Sequence, residues 1–168
     1  MIQNKRIFIT SLIIAAIIIG LDQLSKWYLL DVVGFATRPT MAIYITSFFN
    51  LVMVWNHGIS FGMFSGAKLP LALIAMALVI IGILIRWLMK AEDKFAMWGI
   101  GFVVGGALGN VIDRARFGAV ADFFDFHVLG YHWPAFNIAD SAIFIGVVVL
   151  CIQGMMQPQK NEQDKPHD

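Results

Sequence analysis

Charge is scarce in this chain. Asp, Glu, Lys and Arg make up 14% of its 168 residues, against 59% hydrophobic, and the mean hydropathy is +0.76. So little polar surface excludes a soluble domain of this size. The net charge of +1 gives no broad basic field, which removes nucleic acid from the expected partners. Cysteine is nearly absent. Cys151 alone excludes an intrachain disulfide and a cysteine-based metal cluster, and its apolar surroundings predict a small buried hydrophobe. His57, His127, His132 and His167 lack the His-x-x-x-His spacing of a zinc helix. Ser60 and Ser141 have no obvious neighbouring base, and no Gly-x-Ser-x-Gly elbow occurs. No metal or cofactor is expected, and there is no internal repeat.

What the chain does have is long apolar runs. Four segments can each span a bilayer, which takes about 20 helical residues. They cover about 7–30, 69–89, 95–112 and 137–156, and the third is the shortest. These predict a single integral-membrane domain, an all-α bundle of four transmembrane helices. Lys5 and Arg6 precede the first run as in a secretory signal, but apolar character resumes after Asp22 and no small-x-small cleavage site follows. With both termini inside, the inner side holds Lys5, Arg6, Arg86, Lys90, Lys94, Lys160 and Lys165. The outer side holds Lys26, Arg38, Lys68, Arg114 and Arg116. Seven cations against five, three of them crowded into 86–94, favour cytoplasmic termini.

Between the runs lie two outer segments. Ile43-Tyr44-Ile45-Thr46 and Leu51-Val52-Met53-Val54-Trp55 are rich in β-branched and aromatic types and predict a small hairpin or sheet on the membrane. Residues 113–136 carry Phe123, Phe124, Phe126, Tyr131, Trp133 and Phe136, a composition suited to the bilayer interface. The polar tail 157–168 reads as disordered.

Ionised carboxylates are costly in or near hydrocarbon, and intramembrane acids usually serve function. Asp122 and Asp140 are placed towards the outer ends of apolar helices, where two acids can converge on one pocket. Each also has a plainer reading. Asn137 and Asp140 fit a reciprocal helix cap. Asp122 can cap a turn, and Asp125, three residues away, is a rival partner. Asp22 and Lys26 share a helix face and suit a structural ion pair with Lys26 snorkelling outward. Asp113 follows the third run and needs a cation, which Arg114 or Arg116 can supply. One of these arginines can instead bind a phosphate headgroup or a peptide carbonyl. Gly101, Gly105 and Gly109 form a small-residue stripe that draws the third helix onto the fourth. A transporter or proton-conducting protein could use the same acids, but it would spread polar groups over several depths. A structural membrane protein would need only the stripe.

Five ordered strings carry a resemblance. They are Leu21-Asp22-Gln23-Leu24-Ser25-Lys26, Asn56-His57-Gly58-Ile59-Ser60-Phe61, the segment from Gly105 to Arg114, Val120-Ala121-Asp122-Phe123, and Phe136-Asn137-Ile138-Ala139-Asp140-Ser141-Ala142. Together they resemble the lipoprotein signal peptidases, also called signal peptidase II. The resemblance implies a bacterial inner-membrane aspartyl endopeptidase with four transmembrane helices and a β-sheet cradle on the outer face. It implies diacylglyceryl prolipoproteins as substrates, cut before the lipobox cysteine, and membrane lipid as surroundings. The sequence does not reveal the oligomeric state, for which a monomer is the expectation. The family's catalytic aspartates fall on Asp122 and Asp140. Its supporting positions fall on Asp22, Lys26, Asn56, Gly58, Asn110, Asp113, Arg114 and Asn137. Ala121 stands where valine is common, Ile138 where leucine is, and Gly62 where serine is.

Overall fold

The structure is a computed structural model that describes residues 2–38, 40–58 and 68–156. The tail 157–168, expected to be disordered, lies outside the described residues, as do residues 59–67. Four helices are long and apolar enough to cross a membrane. They are α1 (Lys5–Trp27, continued by a π-helical turn at Tyr28–Val32), α2 (Lys68–Leu88), α3 (Lys94–Phe117) and α4 (Ile138–Met156). Strands β1 (Ile43–Tyr44), β2 (Phe49–Asn56), β3 (Val120–Val128) and β4 (Tyr131–His132) form one antiparallel sheet in that order. The protein is therefore a four-helix membrane bundle with a small sheet at one end.

Local chemistry sets the helix ends. The Asn4 side chain accepts from the Ile7 N–H at 3.2 Å, and the Asp93 side chain accepts from the Ala96 N–H at 2.8 Å, each satisfying an orphan donor of a first turn. Gly118 closes α3 at φ 72°, a left-handed cap that glycine adopts without strain. The third helix was expected to stop near 112, yet α3 continues to Phe117. Its last turns carry charge, but Asp113 is neutralised from α1, and Arg114 and Arg116 suit the negative end of the helix dipole.

Helix α3 is the central one. Its most apolar stretch is 56% buried, against 6% for that of α2, which lies at the edge. The glycine stripe works differently from its sequence reading. Gly101, Gly105 and Gly109 face Ser11, Ile14, Ala15, Ile18 and Asp22 of α1, while Gly99 and Gly106 face α4. Two glycine faces on one helix let α3 approach two neighbours at once. A Cβ on Gly105 would stand 2.9 Å from the backbone Cα and O of Ala15, which no rotamer change relieves. Gly105→Ala should therefore cost roughly 1–3 kcal/mol through overpacking. Gly20→Ala, with nothing within 4 Å, serves as the control. Detergent melting curves check this: equal midpoints for the two variants would show that the stripe is not packed.

The sheet rests on the end of α1. Leu29, Leu30 and Phe35 pack with Met53, Ala121 and Phe123 in one buried cluster. The expected hairpin is present as β1 and β2. Strand β3 was not foreseen: its acids Asp122 and Asp125 and its run of aromatics disguise a segment buried on both faces over its first residues. Asp122 thus lies on a strand rather than at a helix end. Cys151 is exposed on the apolar outer side of α4, not buried. Hydrocarbon-facing positions of a membrane helix are as apolar as a core, so sequence alone does not separate the two.

Candidate active site

Asp122 and Asp140 are brought together at the sheet end of the bundle by three asparagines. The Asn137 Nδ2 donates to Asp122 Oδ1 at 2.7 Å, and the Asn56 Nδ2 donates to Asp122 Oδ2 at 2.9 Å. The Asn110 Nδ2 donates to Asp140 Oδ1 at 2.7 Å, and Asn137 Nδ2 lies 3.3 Å from Asn110 Oδ1. The two carboxyls are therefore linked through the Asn137 and Asn110 carboxamides. The helix cap foreseen at α4 is present and serves the same site. The Asp140 N–H donates to Asn137 Oδ1 at 2.8 Å, and the Asn137 N–H donates to Asp140 Oδ2 at 3.3 Å.

Each asparagine is itself oriented. The Gly58 N–H donates to Asn56 Oδ1 at 2.8 Å, which turns the Asn56 amide nitrogen towards Asp122. Gly58 does this at φ +97°, and a Cβ there would collide with the Leu73 side chain. Asn137 is fully buried, with its amide also within 3.3 Å of the Ala121 carbonyl.

Burial differs between the two acids. Asp122 is 1% exposed, whereas Asp140 is half-buried and lines a cavity of about 390 Å³ with Trp133, Phe136, Ser141, Phe144 and Ile145. Burial and then the nearby Asp140 charge push Asp122 from an ordinary 3.8 up to about 7, against the pull of its bonds from Asn56 and Asn137. Asp125, the rival acid, is committed elsewhere. Its carboxylate meets His132 Nδ1 at 2.7 Å and accepts from Asn50 Nδ2 at 3.1 Å. Burial would raise it, but the bonds from His132 and Asn50 prevail and hold it below the usual carboxylate range.

A second polar cluster lies beneath. Lys26 Nζ meets Asp22 Oδ2 at 2.8 Å and Asp113 Oδ2 at 2.7 Å, with both carboxylates fully buried. The expected outward snorkel of Lys26 does not occur. The residue is 2% exposed, because two buried anions hold it in. Lys26, not an arginine of α3, is the cation that Asp113 needs. Arg114 donates to the Asn110 carbonyl at 3.4 Å, and its buried Nε has no hydrogen-bond partner among the described residues.

This arrangement of polar groups sits in a chain whose sequence matches the signal peptidase II family over residues 14–156. The chain belongs to the signal peptidase II family. Among curated signal peptidase II relatives, a lipoprotein signal peptidase of Rhodopseudomonas palustris (strain TIE-1) is 43% identical over 151 residues, covering 84% of this chain and 89% of that protein. One of Syntrophus aciditrophicus (strain SB) is 38% identical over 163 residues, covering 94% and 99%. Two solved structures, each described as a bacterial membrane enzyme determined in meso, share the fold. The one at 2.3 Å resolution has a TM-score of 0.73 at 29% identity, covering 95% of this chain and 93% of that one. The one at 1.9 Å has a TM-score of 0.77 at 30% identity, covering 89% and 94%.

Within this signal peptidase II chain, the hydrogen bonds and ion pairs above connect Asp22, Lys26, Asn56, Asn110, Asp113, Arg114, Asp122, Asn137 and Asp140 at the sheet end of the bundle. Sequence reasoning missed Gln23. It sits beside Asp22 in the first motif, and its Nε2 reaches Asp22 Oδ2 at 3.1 Å and Asp113 Oδ1 at 2.9 Å. A neutral amide next to an intramembrane acid was the available signal.

Proposed function

We propose that this chain is an aspartyl endopeptidase that removes signal peptides from diacylglyceryl-modified prolipoproteins, cutting before the lipid-bearing cysteine. The observation that carries this reading is the pair Asp122 and Asp140, joined through Asn137 and Asn110, with Asp122 pushed up to about 7. Two carboxyls whose charges oppose each other in a buried site favour a state with one proton between them, as aspartyl chemistry needs.

In this reading Asp122 holds the shared proton and Asp140 is ionised. Asp140 lies at the N-terminus of α4, which favours negative charge. Water gives a proton to Asp140 as its oxygen attacks the scissile carbonyl carbon. Asp122 gives its proton to the carbonyl oxygen, so that no free oxyanion builds up. When the tetrahedral intermediate collapses, Asp140 passes its proton to the departing amine. Asp122 takes back a proton from a hydroxyl, and the pair is restored. Asn56 and Asn137 fix the Asp122 carboxyl, and Asn110 fixes Asp140. The cavity beside Asp140 is walled by Trp133, Phe136, Phe144 and Ile145, chemistry suited to an apolar part of the substrate. The termini face the cytoplasm, and the sheet end lies at the outer surface of the inner membrane.

The pH dependence tests this. The rate on a lipidated precursor peptide in micelles should fall about tenfold per unit as pH rises past about 7, where the shared proton leaves. Stability should move in the same direction. Asp122 binds its proton more tightly folded than unfolded, so it contributes stability that is present below 3.8 and lost as pH rises through about 7. Asp122→Asn should lack that decline. A flat rate from pH 6 to 9 would contradict the shared proton.

A further inference from the structure

We propose that Asp22, Gln23, Lys26 and Asp113 form a buried brace that sets the separation of Asp122 and Asp140 by holding the residue before each of them. This rests on the catalytic reading of the two acids. The Ala121 N–H donates to Asp113 Oδ2 at 3.1 Å, and the Ala139 N–H donates to Asp22 Oδ1 at 3.0 Å. Ala121 and Ala139 immediately precede Asp122 and Asp140, and consecutive Cα atoms are ~3.8 Å apart. Each acid is thus one peptide unit from a fixed anchor. Lys26 bridges the two anchors at 2.8 and 2.7 Å. One ammonium thereby ties the start of α4 to the start of β3.

The charges explain Gln23. Two buried acids share one ammonium, so their remaining oxygens need further donors. The Gln23 Nε2 supplies hydrogen bonds to both, at 3.1 Å to Asp22 and 2.9 Å to Asp113, without adding another charge. It also lies 3.3 Å from the Gly109 carbonyl. Gly109 must lack a Cβ here, since one would stand 2.7 Å from Asp22 Oδ2 and 3.3 Å from the Ala139 Cβ. None of the four brace residues needs to touch substrate. They are positioning residues.

The test compares Asp113→Leu, Asp113→Asn and Gln23→Met on the full chain in detergent, with a diacylglyceryl precursor peptide. Monodisperse folded protein is counted so that kcat is per folded molecule. Loss of the Ala121 anchor in Asp113→Leu should lower kcat roughly 100-fold with little change in KM, the scale for a misplacement of about 1 Å. Asp113→Asn keeps an acceptor for Ala121 and should recover at least part of that loss. Gln23→Met keeps the ion pairs and should fold if Asp113→Leu does not, with a smaller fall in kcat. A wider pair repels less, so the high-pH decline in rate should move to lower pH in Asp113→Leu and Gln23→Met. The charges acting on Asp122 are Asp140 on α4, Lys26 on α1 and Arg114 on α3. Gln23→Met removes none of these charges. Wild-type kcat per folded molecule with an unmoved pH limb in Gln23→Met would overturn the brace, leaving those residues as fold stabilisers. Activity in Asp122→Asn would instead overturn the catalytic reading itself, so the two failures are told apart.

Discussion

Asp122→Asn and Asp140→Asn should each reduce kcat by about 10³-fold or more while the protein stays folded. An amide keeps the shape of the carboxyl and can still engage Asn137 or Asn110, but it cannot exchange the proton that each step needs. Asp125→Asn separates the chemistry from a general effect of losing an acid in β3. Its carboxylate is bound to His132 and Asn50, so the change should weaken that end of the sheet and leave substantial activity. Rates on one lipidated peptide, with size-exclusion profiles for each variant, check this. A dead Asp125→Asn beside an active Asp122→Asn would show that the wrong acid of β3 was chosen.

The second large effect concerns the lipid. A precursor peptide without diacylglycerol should be cleaved roughly 100-fold more slowly even at saturation if, as proposed, the lipid places the scissile bond against the acids. Each buried methylene is worth about 0.8 kcal/mol, but much of this is already gained when the substrate sits in the bilayer. The lipid should therefore appear mainly in kcat rather than in KM. The apolar cavity beside Asp140 is where such positioning can act. Equal turnover of the two peptides at saturation would rule out positioning by lipid while leaving the aspartyl chemistry standing.

The four helices were legible because spanning a bilayer demands about 20 apolar residues, which no other pattern here imitates. The hairpin of β1 and β2 was legible from its β-branched and aromatic runs. Strand β3 was not, because it is buried on both faces where it begins and carries two acids, so neither alternation nor apolar continuity marks it. A different buried acid hid the end of α3. Asp113 looks like a helix terminus until Lys26 is seen beside it. Residue types alone left Asp122 and Asp125 as equal candidates. The structure links Asp122 to Asp140 and Asp125 to His132, which is the ground for proposing Asp122. Gly105 illustrates a different limit. Its four-residue spacing announced a packed face, but which neighbour it packs against depends on how the helices are arranged around α3.

The most direct measurement is mass analysis of the products when the purified chain meets a diacylglyceryl-modified precursor peptide, with Asp122→Asn and Asp140→Asn alongside. The expected result is one cut, immediately before the lipid-bearing cysteine, releasing an intact signal peptide from the wild-type protein and none from either variant. A cut at another bond, or the same cut undiminished in both variants, would contradict an aspartate pair acting at that peptide bond.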